Sequence, residues 1–97
     1  MIYTVYILFS ELHKQIYIGQ TSHLLKRFHS HNVYGKDWTR HFRPWSVIYC
    51  EYFDSRHMAM KRERQLKTAT VRRMIWQKIE KELKFMGYII EIPRPGG

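Results

Sequence analysis

Residues 2–19 read IYTVYILFSELHKQIYIG, and this stretch decides the fold. Its two ends are rich in alternating β-branched and aromatic residues, and a polar run from Ser10 to Gln15 separates them. This pattern predicts a β-hairpin with a longish loop. Because side chains alternate across a strand, burial of the aliphatic positions on one face places Tyr6 and Tyr17 together on the other face.

The rest of the chain predicts helices and one more strand. Apolar residues recur at helical spacing in three segments, whereas residues 45–53 are rich in strand formers. Together with the hairpin, this predicts an α/β protein of the α+β type, in which helices flank a small three-stranded antiparallel sheet. After the hairpin we expect a helix that is capped by Thr21 or Ser22 and runs to about residue 32, followed by an irregular loop over 32–45. A strand over 45–53 comes next. Two helices complete the chain: one is capped by Asp54 or Ser55 and runs to about residue 67, and the other spans 71–85.

The length of 97 residues fits a single compact domain with one core. The hydrophobic fraction of 44% is ordinary for a globular protein and far from that of a disordered chain. We expect a domain over residues 1–87 and a C-terminal extension over residues 88–97. The extension includes Tyr88–Ile92, a candidate short edge strand that could meet a protein partner, and ends in a Pro- and Gly-rich tail.

The charge of the chain points to a polyanionic partner. Lys and Arg total 17 against 8 Asp and Glu, which gives a formal net charge of +9 and a pI near 9.9. So much like charge on a short chain attracts polyanions, and nucleic acid is the commonest of these. The alternative is that the charge only keeps a small protein soluble.

Two features concern the compartment. Cys50 is the single cysteine, so an internal disulfide is excluded and a reducing cytoplasm is expected. No apolar stretch approaches the roughly 20 residues that span a bilayer, and the N-terminus lacks a basic segment followed by an apolar one. We therefore expect a cytoplasmic protein without a membrane partner.

Glu63 shares a helical stripe with Ala59 and Leu66, and such a stripe should face inward. An ionised carboxylate there is costly unless a cation or hydrogen-bond donors meet it. One such cation is Mg²⁺, which typically takes one or two protein carboxylates and completes its octahedron with water and substrate phosphate. The alternative is an ion pair with Arg27 or a neighbouring arginine on a solvated helix surface.

Arg27 and His31 also lie beside an apolar stripe instead of opposite it. The planar guanidinium of Arg27 suits a bidentate phosphate clamp, although a surface arginine would show the same spacing. His31 has three open interpretations, namely a phosphate donor, a proton shuttle or the end of a helix. Tyr6 and Tyr17 could supply a general base beside a cation and an arginine, and without that setting they are packed aromatic residues.

The segment from Lys36 to Trp45 mixes basic and aromatic side chains. Aromatic side chains can stack on bases while basic ones neutralise phosphates, and the alternative is a partly exposed edge of the core. The histidines do not have zinc-site spacing, because there is no His-Glu-x-x-His motif and one cysteine cannot build such a site. The candidate nucleic-acid-binding residues are Lys36, Trp38, Arg40, His41 and Arg43.

Five short motifs follow one another along the chain, and the ordered set is far more specific than any one of them. They are Val5-Tyr6-Ile7-Leu8, Tyr17-Ile18-Gly19-Gln20-Thr21, Arg27 with His31-Asn32, Thr39-Arg40 with Arg43-Pro44-Trp45, and the run from Ala59 to Lys67. The set resembles the GIY-YIG nuclease superfamily, and more narrowly its small single-domain bacterial members, over about residues 2–83.

The resemblance implies a divalent-metal-dependent endonuclease that hydrolyses phosphodiester bonds. In that family the residues matching Tyr6 and Tyr17 line the active site, and the residue matching Arg27 contacts the scissile phosphate. The residue matching Glu63 holds one divalent metal, Mg²⁺ or Mn²⁺, and a tyrosine or histidine near the nucleophilic water matches His31. Tyr17 is then the expected base and Tyr6 its hydrogen-bond partner. The expected substrate is DNA rather than RNA, in repair or recombination.

The chain departs from the family pattern at two places. Thr4-Val5 replaces Gly-Ile in the first motif, although small members often carry a Val-Tyr variant there. Gln20 stands where several larger members have a lysine, so one positive charge near the phosphate is missing. The rival expectation is a non-catalytic nucleic-acid-binding module that keeps the fold and binds through the basic aromatic segment.

Overall fold

The computed structural model describes residues 1–34 and 38–85, and it confirms the predicted α+β class with a three-stranded antiparallel sheet. The predicted strand at Tyr88–Ile92 and the rest of the predicted extension lie outside the described residues. The elements are β1 (Tyr3–Ser10), β2 (Gln15–Thr21), α1 (Leu24–His29), a π-helical turn (Ser30–Tyr34), a 3-10 helix (Trp38–Phe42), β3 (Ser46–Phe53), α2 (Arg56–Leu66) and α3 (Ala69–Phe85).

The sheet has the strand order β2-β1-β3, and β1 pairs antiparallel with both neighbours. Because β1 is central, its residues 4–10 are all buried. In the hairpin register Tyr6 lies opposite Gly19, and Leu8 lies opposite Tyr17. Since partners across an antiparallel pair share a face, Tyr6 and Tyr17 lie on the same face of the sheet, as predicted.

The tyrosine-bearing face of the sheet is covered by its own apolar cluster. Tyr6, Leu8 and Trp45 are buried at its centre. Burying an aliphatic side chain such as that of Leu8 stabilises the fold by about 1.5–3 kcal/mol. The polar hydroxyls of the tyrosines are therefore set into a well-packed surface. The partly buried residues packed against the centre are Tyr17, Leu24, Phe28, Phe42 and Cys50.

The first helix differs from the prediction at both ends. Its N-cap is His23 and no side chain caps it, whereas Thr21 accepts the backbone N–H of His23 at 3.0 Å and forms a turn before the helix. The prediction of a Thr21 or Ser22 cap was therefore wrong. The helical path also runs past residue 32, because α1 widens into the π-helical turn that ends at Tyr34. Such single π turns are frequent at functional sites.

Within the predicted loop, residues 38–42 form the 3-10 helix. Long side chains stabilise both short elements by binding their free carbonyls. Arg43 donates to the carbonyls of Asn32, Val33 and Arg40 at 3.2, 2.8 and 3.1 Å. Short helices depend on such partners for the carbonyls at their ends. Because these elements depend on such contacts, the hydrophobic periodicity of the sequence did not reveal them.

The chain divides into two compact units, residues 1–63 and residues 64–97. The first unit contains the sheet, α1 and most of α2, whose predicted cap is confirmed by Ser55 accepting the N–H of Met58 at 3.4 Å. In the second unit α3 begins at Ala69, two residues before the predicted start, and buries Trp76 and Ile79. Within residues 1–34 and 38–85, no helix combines the length and apolar character needed to cross a membrane.

Candidate active site

Tyr6 and Tyr17 form the floor of the candidate site, with ring centroids 6.1 Å apart. The side chain of Tyr6 lies across Gly19 on the neighbouring strand. A Cβ atom at Gly19 would lie 2.7 Å from the Tyr6 hydroxyl and 3.0 Å from Cε1 of Tyr17. A contact shorter than 3.0 Å essentially never occurs for a real Cβ, so the close approach of the Tyr6 side chain requires glycine here.

Arg27 on α1 connects the two tyrosines. Its guanidinium interacts with the hydroxyls of Tyr6 and Tyr17, and its side chain remains exposed to solvent. The interaction with Tyr6 is the main cause that raises the pKa of Arg27, and partial burial opposes it. Arg27 is therefore a fixed positive charge at the open side of the tyrosine pair.

His31 is brought to the same place by the π-helical turn. It is 2% exposed, its Nε2 lies 3.1 Å from the Tyr6 hydroxyl, and its ring centroid lies 4.7 Å from that of Tyr17. Arg27 and His31 are four residues apart, so a helical path presents both to the same face of the sheet. The structure thus brings together four of the predicted site residues.

Thr39 is a member of the site that sequence reasoning did not assign a role. It is completely buried, and its Oγ1 lies 2.8 Å from Nδ1 of His31. Its carbonyl accepts the indole N–H of Trp45 at 2.8 Å. The only sequence signal for Thr39 was its place in the motif Thr39-Arg40 with Arg43-Pro44-Trp45. That motif carries no information about what the Thr39 side chain contacts.

Asn32 holds this part of the site against the start of β3. Its side chain donates to the carbonyl of Trp45 at 3.2 Å and accepts the backbone N–H of Trp45 at 2.7 Å. Because the Asn32 amide bonds both the N–H and the carbonyl of Trp45, it mimics the hydrogen bonds of a neighbouring strand. The contact fixes the π-helical turn, and with it His31, relative to the sheet.

The pKa of Tyr6 is raised well above its usual range. Burial is the main cause, the neighbouring Tyr17 adds to it, and the negative charge of Glu63 contributes further. The hydrogen bond from Arg27 acts in the opposite direction but is outweighed. Tyr6 is consequently a neutral phenol at ordinary pH, able to donate one hydrogen bond and accept others.

Glu63 lies on α2, is partly buried, and is close enough for its charge to act on Tyr6. The adjacent Arg62 donates to Glu51 at 2.9 Å, so that arginine has a carboxylate partner on β3. Among the described residues, no group of three or more His, Cys, Asp or Glu gathers to hold a metal ion. A single carboxylate fits a hard cation such as Mg²⁺, which keeps several waters and binds substrate phosphate.

The predicted nucleic-acid-binding residues are only partly placed. Trp38, Arg40 and His41 lie on the 3-10 helix with exposed side chains. Arg43 is exposed as well, but its guanidinium donates to backbone carbonyls and supports the fold. Lys36 lies outside the described residues.

Comparisons with known proteins identify the family to which the chain belongs. UPF0213 proteins of Streptococcus pyogenes serotype M5 (strain Manfredo), serotype M3 (strain SSI-1) and serotype M1 are each 40% identical over 60 residues. The similarity covers 61% of this chain and 65% of each relative, so it spans just under two thirds of their length. No solved structure shows a significant match. The model of the GIY-YIG catalytic domain matches residues 2–80, and the chain therefore belongs to the nuclease-type GIY-YIG family.

Proposed function

We propose that the protein is a divalent-metal-dependent endonuclease that hydrolyses phosphodiester bonds in DNA during repair or recombination. The observation that carries the proposal is the convergence of Tyr6, Tyr17, Arg27 and His31 on one face of the sheet. Buried polar groups are costly unless they satisfy one another or serve a ligand. Here the polar groups of Tyr6, Tyr17 and His31 surround the exposed Arg27. This is the arrangement that phosphate recognition requires.

In this proposal Tyr17 is the general base and Tyr6 its support. Tyr6 is the poorer base of the two, because burial raises its pKa and its hydroxyl stays protonated. Tyr17 is less buried than Tyr6, and Arg27, which interacts with the Tyr17 hydroxyl, is proposed to donate a hydrogen bond to its oxygen. That bond stabilises negative charge on the Tyr17 oxygen when the proton leaves.

Arg27 is the proposed phosphate ligand. A guanidinium has five N–H donors, so it can keep a bond to a tyrosine and still bind a phosphate oxygen. Its exposure leaves room for that contact. Its permanent positive charge stabilises the extra negative charge that develops on the phosphate in the transition state.

The proposed reaction is hydrolysis by a water molecule held near Tyr17 and His31. With Tyr17 in its phenolate form, the water oxygen attacks phosphorus, the water proton passes to the Tyr17 oxygen, the bond from phosphorus to the leaving oxygen breaks, and the leaving oxygen takes a proton from solvent. Glu63 is the residue that would hold the divalent cation, Mg²⁺ or Mn²⁺. When bound, that cation supplies positive charge that stabilises the leaving oxygen.

DNA binding is proposed to depend on the basic aromatic segment. Arg40 and His41 are exposed on the 3-10 helix, in a protein of net charge +9. Neutralising phosphates with basic side chains releases counterions and produces affinity that falls with salt. Lys36 and Arg43 remain part of the proposed binding set, although Arg43 also supports the fold.

A cleavage panel tests the proposal against a non-catalytic binding module. Branched, single-stranded and duplex DNA and RNA are incubated with Mg²⁺, with Mn²⁺ or with EDTA, using wild type, Glu63→Ala and the control Glu82→Ala. Glu82 is an exposed glutamate on α3. We expect metal-dependent DNA cleavage by wild type and Glu82→Ala, and DNA binding without cleavage by Glu63→Ala. Equal behaviour of wild type and Glu63→Ala on every substrate would rule the enzyme out.

A further inference from the structure

Trp38 lies at the outer end of a row of aromatic rings. Its ring centroid is 4.5 Å from that of Phe42 and 6.0 Å from that of Trp45. The ring of Trp45 is in turn 6.5 Å from that of Tyr17. Two ring-to-ring steps therefore lead from the surface to the proposed general base.

The Trp38 ring is exposed although it packs on its neighbours. It is 47% exposed, whereas Trp45 is 3% and Trp76 is 7% exposed. The contacts with Phe42 and Trp45 order the indole before any ligand arrives. A ring that is already ordered loses little side-chain entropy when it binds, so its open side is well suited to stack on another ring.

The charges around Trp38 favour an anionic occupant. Arg40 and His41 are exposed on the same 3-10 helix, and Arg27 is exposed at the tyrosine pair. A second copy of this chain would bring another net charge of +9 and would be repelled. Nucleic acid combines the two properties that this surface can bind, since it carries negative phosphates and flat aromatic bases.

Only an unpaired base can use such a surface fully. Inside a duplex each base is stacked between its neighbours, so neither of its faces is open to an indole. A base in a single strand has a free face, and stacking on an aromatic side chain is worth about 1–3 kcal/mol per base.

We propose that Trp38 is a stacking platform for an unpaired DNA base close to the scissile phosphate, so that the preferred substrate carries a single-stranded segment at the cleavage site. The inference rests on the proposed nuclease function, because it places this base relative to a phosphate held at Arg27 and Tyr17. It adds to that function a choice between paired and unpaired DNA.

Binding measured without metal tests the platform separately from catalysis. Fluorescence anisotropy in EDTA gives the affinity for a labelled oligothymidylate and for a labelled blunt-ended duplex. The proteins are wild type, Trp38→Leu, Trp38→Phe and the control Met58→Leu, since Met58 is also 47% exposed. Trp38→Leu should weaken oligothymidylate binding at least about fivefold and leave binding of the blunt-ended duplex nearly unchanged. Trp38→Phe should keep most of the affinity, and Met58→Leu should keep all of it.

Intrinsic fluorescence of the wild type provides a second measurement that needs no destabilising variant. Because the other two tryptophans are buried, quenching by oligothymidylate should come from Trp38 and should disappear in Trp38→Phe. If Trp38→Leu weakens duplex and oligothymidylate binding equally, or weakens neither, the platform is wrong while the nuclease proposal stands. If the wild type binds neither DNA, both the platform and the nuclease proposal fail.

Discussion

The hydroxyl oxygen of Tyr6 lies 3.1 Å from Nε2 of His31, which joins the central strand to the π-helical turn 25 residues later. The neighbouring guanidinium of Arg27 offers only N–H donors to the Tyr6 oxygen, so the proton of Tyr6 is free for His31. We infer that Nε2 of His31 accepts this proton and that Nδ1–H donates to Thr39 at 2.8 Å. The imidazole is then fixed in one tautomer by a buried chain of bonds.

Thr39→Val tests this chain, because valine keeps the shape of threonine and removes the acceptor for Nδ1 of His31. An unsatisfied buried donor costs about 1–3 kcal/mol, and we expect the free energy of unfolding to fall by about that amount. Thr39→Ser keeps the hydroxyl and should lose less. Urea unfolding measures both variants.

The same two variants distinguish a positioning role of Thr39 from simple packing. Nitrogen NMR of the His31 ring should show the Nδ1–H tautomer in wild type and in Thr39→Ser, and a changed tautomer population in Thr39→Val. Disappearance of the signals in His31→Gln assigns them. An Nε2–H tautomer in the wild type would contradict the inferred direction of the hydrogen bonds.

Gly19→Ala should displace both tyrosines. The added methyl would lie 2.7 Å from the Tyr6 hydroxyl and 2.9 Å from its Cζ. Overpacking of this kind costs about 1–3 kcal/mol, and we expect the substitution to lower both stability and cleavage. In a Tyr6→Phe background the nearest contact is gone, so the same change should cost less. Thermal or urea unfolding of wild type, Gly19→Ala, Tyr6→Phe and the double variant measures the coupling between the two positions. Strictly additive losses of stability would show that the added methyl does not contact the Tyr6 hydroxyl.

Tyr6 should make the stability of the protein fall at high pH. Its pKa is raised in the folded state, mainly by burial, so folding favours the protonated phenol. The contribution is complete below the unfolded pKa of about 10 and is lost as pH rises from there towards the folded pKa. We therefore expect wild type to lose stability above about pH 10 more steeply than Tyr6→Phe.

Absorbance titration of phenolate checks the same prediction directly. The chain has seven tyrosines. The hydrogen bond to Glu51 raises the pKa of Tyr49 as well, and Tyr6, whose pKa burial raises strongly, should ionise late or only upon unfolding. The late step should be missing in Tyr6→Phe. A titration in which wild type and Tyr6→Phe differ only by an ordinary tyrosine would mean that Tyr6 is not buried as described.

The hairpin and the shared face of the tyrosines could be predicted from the sequence because period-two alternation leaves few alternatives. Once Ile7 and Ile18 are buried opposite each other, Tyr6 and Tyr17 must share the other face. The same holds for the Ser55 cap of α2, where a local motif determines a local bond. The shared face of the tyrosines and the cap of α2 were therefore predictable from the sequence.

The contacts that complete the site were not accessible in this way. Thr39 meets His31 only because the π-helical turn and the 3-10 helix pack together, and neither element has a hydrophobic period of its own. Arg43 shows the same limit, since its bonds to backbone carbonyls depend on the folded path of the chain. Contacts between side chains and distant backbone follow from tertiary geometry rather than from local propensity.

The charge of Glu63 is the central requirement of the proposed mechanism, and Glu63→Gln removes that charge with little change in shape. The decisive measurement is the single-turnover rate of DNA cleavage in Mg²⁺ for wild type, Glu63→Gln and the exposed control Glu82→Gln, together with DNA affinity in EDTA. We expect Glu63→Gln to cleave at least about 100-fold more slowly, since a catalytic metal supplies several kcal/mol of charge stabilisation. Its DNA affinity and fold should be retained, and Glu82→Gln should match wild type. Cleavage by Glu63→Gln at the wild-type rate would contradict the proposed role of Glu63.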